Sequence, residues 1–299
     1  MRRISILSTL ALVISLLTVA WAPSAAAADP TTTVRYGPFT IPAGTMTDPG
    51  MIHNRLLLGV KRPCSTCYIT SMDPDLVYED GTPATMADGP MLHHAVWTSQ
   101  WRPDATCSGS WLGLAGERFF ASGNERTTIA FPPGYGYKMR SWDSWNLLVD
   151  LMNHSETDKT VYVEVTFSYQ PGTAPLKHVR PVWLDIDQCG DSEYSIPAGY
   201  SDTHWTWNVN VPGRVVAMLG HVHGHGIAVE ATKGGKSICR SVATLEEGNP
   251  HEVLAMSTCR KDALAVLSYG NRVTLHSEYN STHPANDVMG IMLGWVSPS

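Results

Sequence analysis

Short runs of alternating apolar and polar residues recur along this chain, and they constrain its fold more than any other feature. In TVYVEVTFSY, residues 160–169, every second side chain is β-branched or aromatic. This is the pattern of a strand with one face in a core. Runs of similar character occupy residues 94–101, 146–152, 204–211, 214–230 and 291–296. Turn-forming segments such as PPGYG, QPGTAP and KGG separate them.

A helical period is not sustained beyond a turn or two anywhere after the first segment. The best helix candidate is LEEGNPHEVLAMS, which Pro250 interrupts. A chain with 16% charged residues, 25 glycines and 20 prolines suits a turn-rich β protein. We therefore predict an all-β fold of two jelly-roll or β-sandwich domains in tandem, stapled by disulfides. The Pro- and Gly-rich stretch 168–177 is the best linker and predicts domains at 29–172 and 173–299.

The N-terminal segment predicts export. Arg2 and Arg3 precede an apolar run from Ile4 to about Trp21, and the Ala-rich APSAAAADP follows. This is the pattern of a signal peptide, here residues 1–28, and a retained membrane anchor is the alternative. We expect a secreted protein without membrane association after cleavage. The formal charge of -6 and the lack of a basic run exclude a nucleic-acid partner.

The exported chain has three cysteines in each half, so either one disulfide bridges the halves or a thiol is left over. All six are disulfide candidates in an oxidising compartment: Cys64, Cys67, Cys107, Cys189, Cys239 and Cys259. The PCSTC segment has a structural disulfide as its first interpretation, and metal or redox chemistry as its second.

Two histidine clusters predict a metal site. In GHVHGHG, His221, His223 and His225 alternate, so on a strand their rings would project from one face toward one ion. A polar strand face that meets only water is the alternative. The second cluster is the adjacent pair His93 and His94, which can bind one ion jointly only at a strand end or a bulge. A structural pair of core or surface histidines is the alternative.

The segments MLHHAVW, HVHGHG and VMG, in this order, resemble motifs of the copper type II ascorbate-dependent monooxygenases. These are the peptidylglycine α-hydroxylating and dopamine β-monooxygenase enzymes. A closer resemblance is to a relative of theirs, the stress up-regulated Nod family. It is carried by SICRSVATLEEGNPHEVLAMSTC, LHSEYNST and DVMGIMLGW.

The resemblance implies two jelly rolls, each holding one copper ion, across an open cleft. The copper that activates dioxygen would lie on His221, His223 and Met289, and the thioether of Met289 would favour copper. The electron-relay copper would lie on His93 and His94. Its third ligand aligns with Leu151, which has no ligand atom, so His154 or Met152 would have to replace it. His225 could be a further ligand, a partner of a ligand or a surface residue.

Two functions follow from this resemblance. The first is a secreted protein with one or two copper ions that hydroxylates a C–H bond of a small molecule or peptide. It would use dioxygen with ascorbate or another external reductant. The second is a non-catalytic extracellular metal-binding or stress-related binding protein of the same fold, which the missing third histidine favours.

Overall fold

The computed structural model describes residues 28–107 and 116–298. The predicted signal peptide, residues 1–28, lies outside this part except for its last residue. Within these ranges, no helix is long and apolar enough to cross a membrane. The regular structure there consists of strands and one 3-10 helix, Met86–Asp88. The predicted all-β class is confirmed.

The described residues contain twenty strands. Those before the predicted linker are β1 (Thr31–Ile41), β2 (Gly50–Val60), β3 (Cys67–Val77), β4 (Pro90–Ser99), β5 (Glu117–Ser122), β6 (Ile129–Ala130), β7 (Tyr135–Met139), β8 (Trp145–Asn153) and β9 (Lys159–Pro171). Those after it are β10 (Lys177–His178), β11 (Arg180–Asp185), β12 (Glu193–Ile196), β13 (Gly199–Asn208), β14 (Gly213–Val222), β15 (Gly226–Lys233), β16 (Lys236–Glu246), β17 (Asn249–Met256), β18 (Thr258–Leu267), β19 (Arg272–Ser281) and β20 (Ala285–Pro298).

The strands form four sheets, two in each half of the chain. The first half has a sheet of order β1-β9-β3-β7-β10, with β6 beside β3, and a second of order β2-β8-β4-β5. The second half has β11-β20-β14-β18, with β12 beside β20, and β13-β19-β15-β16-β17. The predicted division at residues 172 and 173 falls after β9 and stays a prediction. The short strand β10, beyond it, still pairs with β7.

Large aromatic side chains fill the core of the first half. The Tyr36 ring of β1 lies 5.8 Å from Trp97 of β4, and Trp145 of β8 lies 5.8 Å from Phe167 of β9. Each pair joins one sheet to the other, and edge-to-face or tilted contacts of this kind add to the stabilisation from apolar burial. The two sheets therefore pack as a sandwich around these rings.

Strand β8 has one face in the core of the first half and the other face toward a cavity between the halves. Leu147, Val149 and Leu151 are fully buried on the core face. On the opposite face, Leu148 and Asp150 line a cavity between the halves. The alternation of the strand thus gives one face to the sandwich core and the other to the site described below.

Two segments differ from their sequence-based predictions. The helix candidate LEEGNPHEVLAMS forms the turn and second strand of a hairpin, β16 and β17, because Gly248 adopts a φ of +82° and the chain reverses there. The long run 214–230 is two strands, β14 and β15, rather than one. Its strand character is correct, but the chain turns at residues 223–225.

The halves are joined by side-chain contacts and a disulfide. The Trp295 indole of β20 donates to the Phe119 carbonyl of β5 at 3.3 Å and lies 5.5 Å from the Phe131 ring. Cys107 pairs with Cys189 across the halves, whereas Cys64–Cys67 and Cys239–Cys259 lie within one half each. The odd cysteine of each half is therefore used in a bridge, and the predicted disulfide-stapled fold is confirmed.

Candidate metal centre

A β-bulge places His93 and His94 together. The register of β4 on β8 shifts between Leu92 and His94, so His93 is the extra residue of the bulge. On a regular strand the two rings would face opposite ways, but a bulge can turn both toward one side. Their ring centroids lie 4.0 Å apart. The condition that the sequence set for joint ligation by this pair is met in the structure.

His221 and His223 come from the hairpin between β14 and β15. His221 lies in β14, which ends at Val222, and His223 begins the turn. The His223 amide donates to the Tyr279 hydroxyl at 2.9 Å, which fixes the start of the turn. His225 lies within the turn with a φ of +66°. The three histidines therefore do not share one strand face.

The two pairs of histidines form a single cluster across the halves. The ligand atoms of His93, His94 and His223 all lie within 4.8 Å of one another, a spacing that could hold a metal ion. The Nε2 atoms of His94 and His223 are 3.1 Å apart. The His221 ring lies 5.3 Å from His94 and 5.4 Å from His223, measured between centroids. We call these four residues the histidine cluster.

Two contacts orient the rings of His221 and His223, the histidines that the second half contributes. His223 Nδ1 donates to the backbone carbonyl of Asp287, and His221 Nδ1 lies 3.1 Å from Glu125 Oε1. Each contact places the ring proton on Nδ1 and leaves the lone pair on Nε2. Carboxylates and carbonyls commonly hold metal-binding imidazoles in this way. Glu125 comes from the first half, so its contact with His221 also crosses the interface.

Burial favours the neutral form of three imidazoles of the cluster, those of His93, His94 and His223. Burial, followed by the charges of the neighbouring rings, lowers the pKa of His93 to about 3. Burial and His221 lower the pKa of His223 to about 4. Burial and the neighbouring His93 hold the pKa of His94 well below its ordinary value. A neutral imidazole keeps the lone pair that a metal ion requires, so these rings can bind one at neutral pH.

The chemistry of the cluster fits a metal ion. Nδ1 of His93 and Nε2 of His221 are buried, and neither has a hydrogen-bond partner among the described residues. A buried polar atom without a partner is costly, and metal ligation would supply one. Nitrogen ligands of this kind suit copper, zinc, iron and nickel.

Two cavities flank the cluster. The first, of about 300 Å³, touches His94 and His221, and we call it the apolar cavity. Its apolar lining consists chiefly of Val96, Ala121, Leu148, Trp183, Leu219, Ile291 and Leu293. The second, of about 550 Å³, is lined by His93, His221 and His223, and we call it the methionine cavity. The cluster thus borders two cavities whose linings differ in chemistry.

The remaining candidates are divided between these cavities. Met289 is buried and lines the apolar cavity together with His221. Met152, His154 and His225 line the methionine cavity. Leu151, aligned with the missing ligand, is fully buried in the core. Its neighbours on the opposite face are therefore the ones that reach the cavity.

Sequence reasoning missed Glu125 and Gly123. Glu125 is an acid in a loop without a spacing motif, so nothing in the sequence marks it as a partner of His221. A Cβ on Gly123 would lie 2.5 Å from Glu125 Oε2 and 2.7 Å from His221 Cε1. A glycine is therefore needed beside this contact.

The family assignment follows from sequence comparison. The model of the stress up-regulated Nod 19 family matches residues 134–297. The chain belongs to this family. The match includes β14, the histidine turn and Met289, and therefore the second-half contribution to the cluster.

Two relatives of this stress up-regulated Nod 19 family member cover most of its length. The chain is 29% identical over 290 residues to the probable copper-dependent oxygenase M1 of a Phoma species, covering 88% of this chain and 71% of the relative. It is 30% identical over 255 residues to the probable copper-dependent oxygenase clz3 of Cochliobolus lunatus, covering 75% and 78% respectively. These comparisons support a relationship to copper oxygenases.

Among solved structures, the major capsid protein P2 of bacteriophage PM2 aligns with 89% of this chain and 98% of its own. The TM-score is 0.35 and the identity is 11%, values too low to support an argument about fold or function.

Proposed function

We propose that this protein is a secreted copper-dependent oxygenase whose metal centre is the histidine cluster. The observation that carries the proposal is the convergence of His93 and His94 with His221 and His223. Two of these rings are oriented by partners on Nδ1. The names of the two relatives support copper as the metal, and the three disulfides support an extracellular location.

Bound copper would supply the redox chemistry for oxidising a C–H bond with dioxygen, with ascorbate or another external reductant as electron donor. The chain itself contributes ligand positions and protonation states. Glu125 keeps the proton of His221 on Nδ1, and the Asp287 carbonyl does the same for His223. Both Nε2 lone pairs then remain available to the metal.

The apolar cavity is the proposed substrate site. Most of its exposed lining is apolar, and His94 and His221 contribute to the same lining. Burial of an apolar group there would displace water and hold a C–H bond beside the cluster. At the rim, His53 Nδ1 lies 3.0 Å from Asp150 Oδ1 and offers a polar contact. This arrangement favours a small molecule, or a peptide with an apolar side chain.

We further infer a relationship to the peptidylglycine α-hydroxylating and dopamine β-monooxygenases. It is supported by the order of the His-His, His-x-His and Met motifs along the chain. Met289 shares the apolar cavity with His221, which is compatible with a role for its thioether as a copper ligand. In the structure, however, the histidines of the two halves meet rather than form separate groups.

The test is ascorbate-driven oxygen consumption by the copper-loaded protein, with His223→Ala and His204→Ala compared side by side. His204 lies on β13, outside the histidine cluster, and serves as the matched control. We expect uptake by the wild type and by His204→Ala, and loss in His223→Ala. Copper binding at the cluster without oxygen uptake, across apolar candidate substrates, would favour the non-catalytic binding protein instead.

A further inference from the structure

The methionines of this protein fall into two groups by exposure. Of the 12, Met1 belongs to the predicted signal peptide. Six are at most 6% exposed and pack in the core: Met72, Met139, Met218, Met256, Met289 and Met292. The other five are exposed or half-buried: Met46, Met51, Met86, Met91 and Met152. Core packing, the usual role of methionine, does not account for the second group.

Three of these five form a row across neighbouring strands. Met51 of β2 pairs with Met152 of β8, and Met152 pairs with Met91 of β4. Residues directly opposite in antiparallel strands project from the same face and lie side by side. The next residue along, Leu151, points into the core. The row therefore lies on the outer face of the sheet.

The row leads into the methionine cavity. Met46, Met86, Met91 and Met152 line this cavity, so four of the five meet there. One wall consists of His93, His221 and His223, which belong to the histidine cluster. Among the described residues, every methionine outside the core thus lines the cavity or, in the case of Met51, pairs with a residue that does.

The imidazole of His154 lies in the same cavity as the thioethers. Both ring nitrogens of His154 are buried, and neither makes a hydrogen bond of ordinary geometry within the described residues. His154 lines the methionine cavity close in sequence to Met152. A buried nitrogen of this kind is one for which a bound ion would serve as partner.

The lining selects among possible occupants. Within the described residues, no lysine or arginine lines this cavity, so it does not suit an anionic ligand. The branched aliphatic and aromatic side chains that suit an apolar substrate are concentrated in the other cavity. Thioether sulfurs are soft, weakly polar ligands that select Cu(I) over divalent zinc, calcium or magnesium.

We propose that the methionine cavity is a Cu(I)-binding site, formed by Met86, Met91, Met152 and His154 and distinct from the histidine cluster. Met46 and Met51 extend the thioether surface toward solvent, where copper would arrive. The proposal concerns binding alone, so it does not require the oxygenase activity proposed above. The methionine cavity is lined by His93, so copper bound in it would lie a short distance from the histidine cluster.

The test uses Ag(I), a redox-inert analogue of Cu(I), in calorimetric titrations of the purified protein. The variant Met91→Leu/Met152→Leu removes two sulfurs while nearly conserving volume, a change that cores tolerate well. The control, Met139→Leu/Met218→Leu, removes two buried sulfurs elsewhere. We expect at least tenfold weaker binding of one Ag(I) equivalent in the cavity variant and unchanged binding in the control. All six cysteines are in disulfides, so no thiol competes for the ion.

Two results would overturn the proposal. One is an identical Ag(I) titration for the wild type and the cavity variant, where thermal unfolding curves show that both proteins are folded. The other is an X-ray absorption spectrum of the anaerobic Cu(I) protein without sulfur scattering. Cu(II) EPR on separate samples of the same proteins, loaded with Cu(II) in air, reports the histidine cluster independently. If the wild type gave no Cu(II) signal from the histidine cluster, this would count against the proposed function and not against the Cu(I) site.

Discussion

His94 and His223 face each other through Nε2 atoms 3.1 Å apart, although 129 residues separate them in the chain. One ring belongs to the sheet of the first half and the other to a hairpin turn of the second. His223 holds its proton on Nδ1, so its Nε2 lone pair points toward His94. The proposed metal centre therefore lies at the interface between the halves.

Substitutions in either half should remove the same copper signal. Because the four rings form one cluster, His94→Ala and His223→Ala should each abolish the Cu(II) EPR signal that the cluster gives. The control is His276→Ala, a histidine on β19 that pairs with Asp202 away from the cluster. If each variant instead lost a different part of a two-component spectrum, the halves would hold separate ions.

Glu125→Gln should weaken copper binding by about 10- to 100-fold, the usual effect of removing a carboxylate partner from a ligating imidazole. The amide is neutral and can present its donor group to His221, so the ring proton is no longer held on Nδ1. A competition titration of Cu(II) against a chelator measures the change. Glu164→Gln, at an exposed ion pair with Arg35, is the control and should bind copper as the wild type does.

Gly123→Ala should perturb the same contact from the other side. The added methyl group would come within 3 Å of both Glu125 and His221, so one of the two side chains must move. We expect an altered Cu(II) EPR spectrum and several-fold weaker binding, with little change in thermal unfolding because the backbone conformation of Gly123 suits alanine. An unchanged spectrum would mean that the pair relaxes without affecting the ligand.

The sequence was sufficient for the β class and singled out the four histidines that converge in the structure, but it did not show how they meet. Alternation identifies β4, and the adjacent His93 and His94 are visible in it. The one-residue register shift that turns both rings to one side depends on pairing with β8, which no local pattern encodes. The helix candidate failed for a related reason, since Gly248 and strand pairing outweighed local helical preference.

The contacts across the halves could not be predicted from the sequence either. Glu125 becomes a partner of His221 only through the packing of one half on the other. The same holds for the two cavities, whose walls combine residues from distant strands. The exposed methionines were unremarkable in the sequence, because only their burial separates them from the core methionines.

The buried ion pair of Asp104 and Arg118 should make stability depend on acid pH. Burial raises the pKa of Asp104, but hydrogen bonds and charge from Arg118, with the Thr106 and Cys107 amides, outweigh it and lower the pKa to about 2. An unfolded aspartate titrates near 3.9. The pair's contribution is therefore complete above about pH 4–5 and is lost as the pH falls toward 2.

Asp104→Asn should destabilise the protein by about 3–5 kcal/mol at pH 7, because it leaves the buried Arg118 guanidinium without its counter-charge. Thermal unfolding midpoints of wild type and variant, measured from pH 7 to pH 2.5, should converge as the wild-type carboxylate protonates. A gap that stays constant over this range would contradict the assigned role of the pair.

The disulfides should differ in their effect on stability. Cys107–Cys189 closes a loop with a sequence separation of 82, and Cys64–Cys67 one of only 3. Loop-closure entropy gives about 4.5 kcal/mol for the first and about 2 kcal/mol for the second. Urea unfolding of Cys107→Ser/Cys189→Ser and of Cys64→Ser/Cys67→Ser should show the larger loss in the former. Equal losses would mean that native packing, rather than chain entropy, dominates.

Because the proposed ligands come from both halves, a bound ion would reversibly stabilise the association of the halves. Any ligand that binds the assembled form alone raises the free energy needed to separate the halves, by an amount set by its concentration relative to its dissociation constant. Free copper would thus strengthen the association of the halves, and a chelator would weaken it. If the two halves were produced as separate chains, added copper would increase their affinity for each other. The increase would be larger, the lower the dissociation constant of the ion at the shared imidazoles.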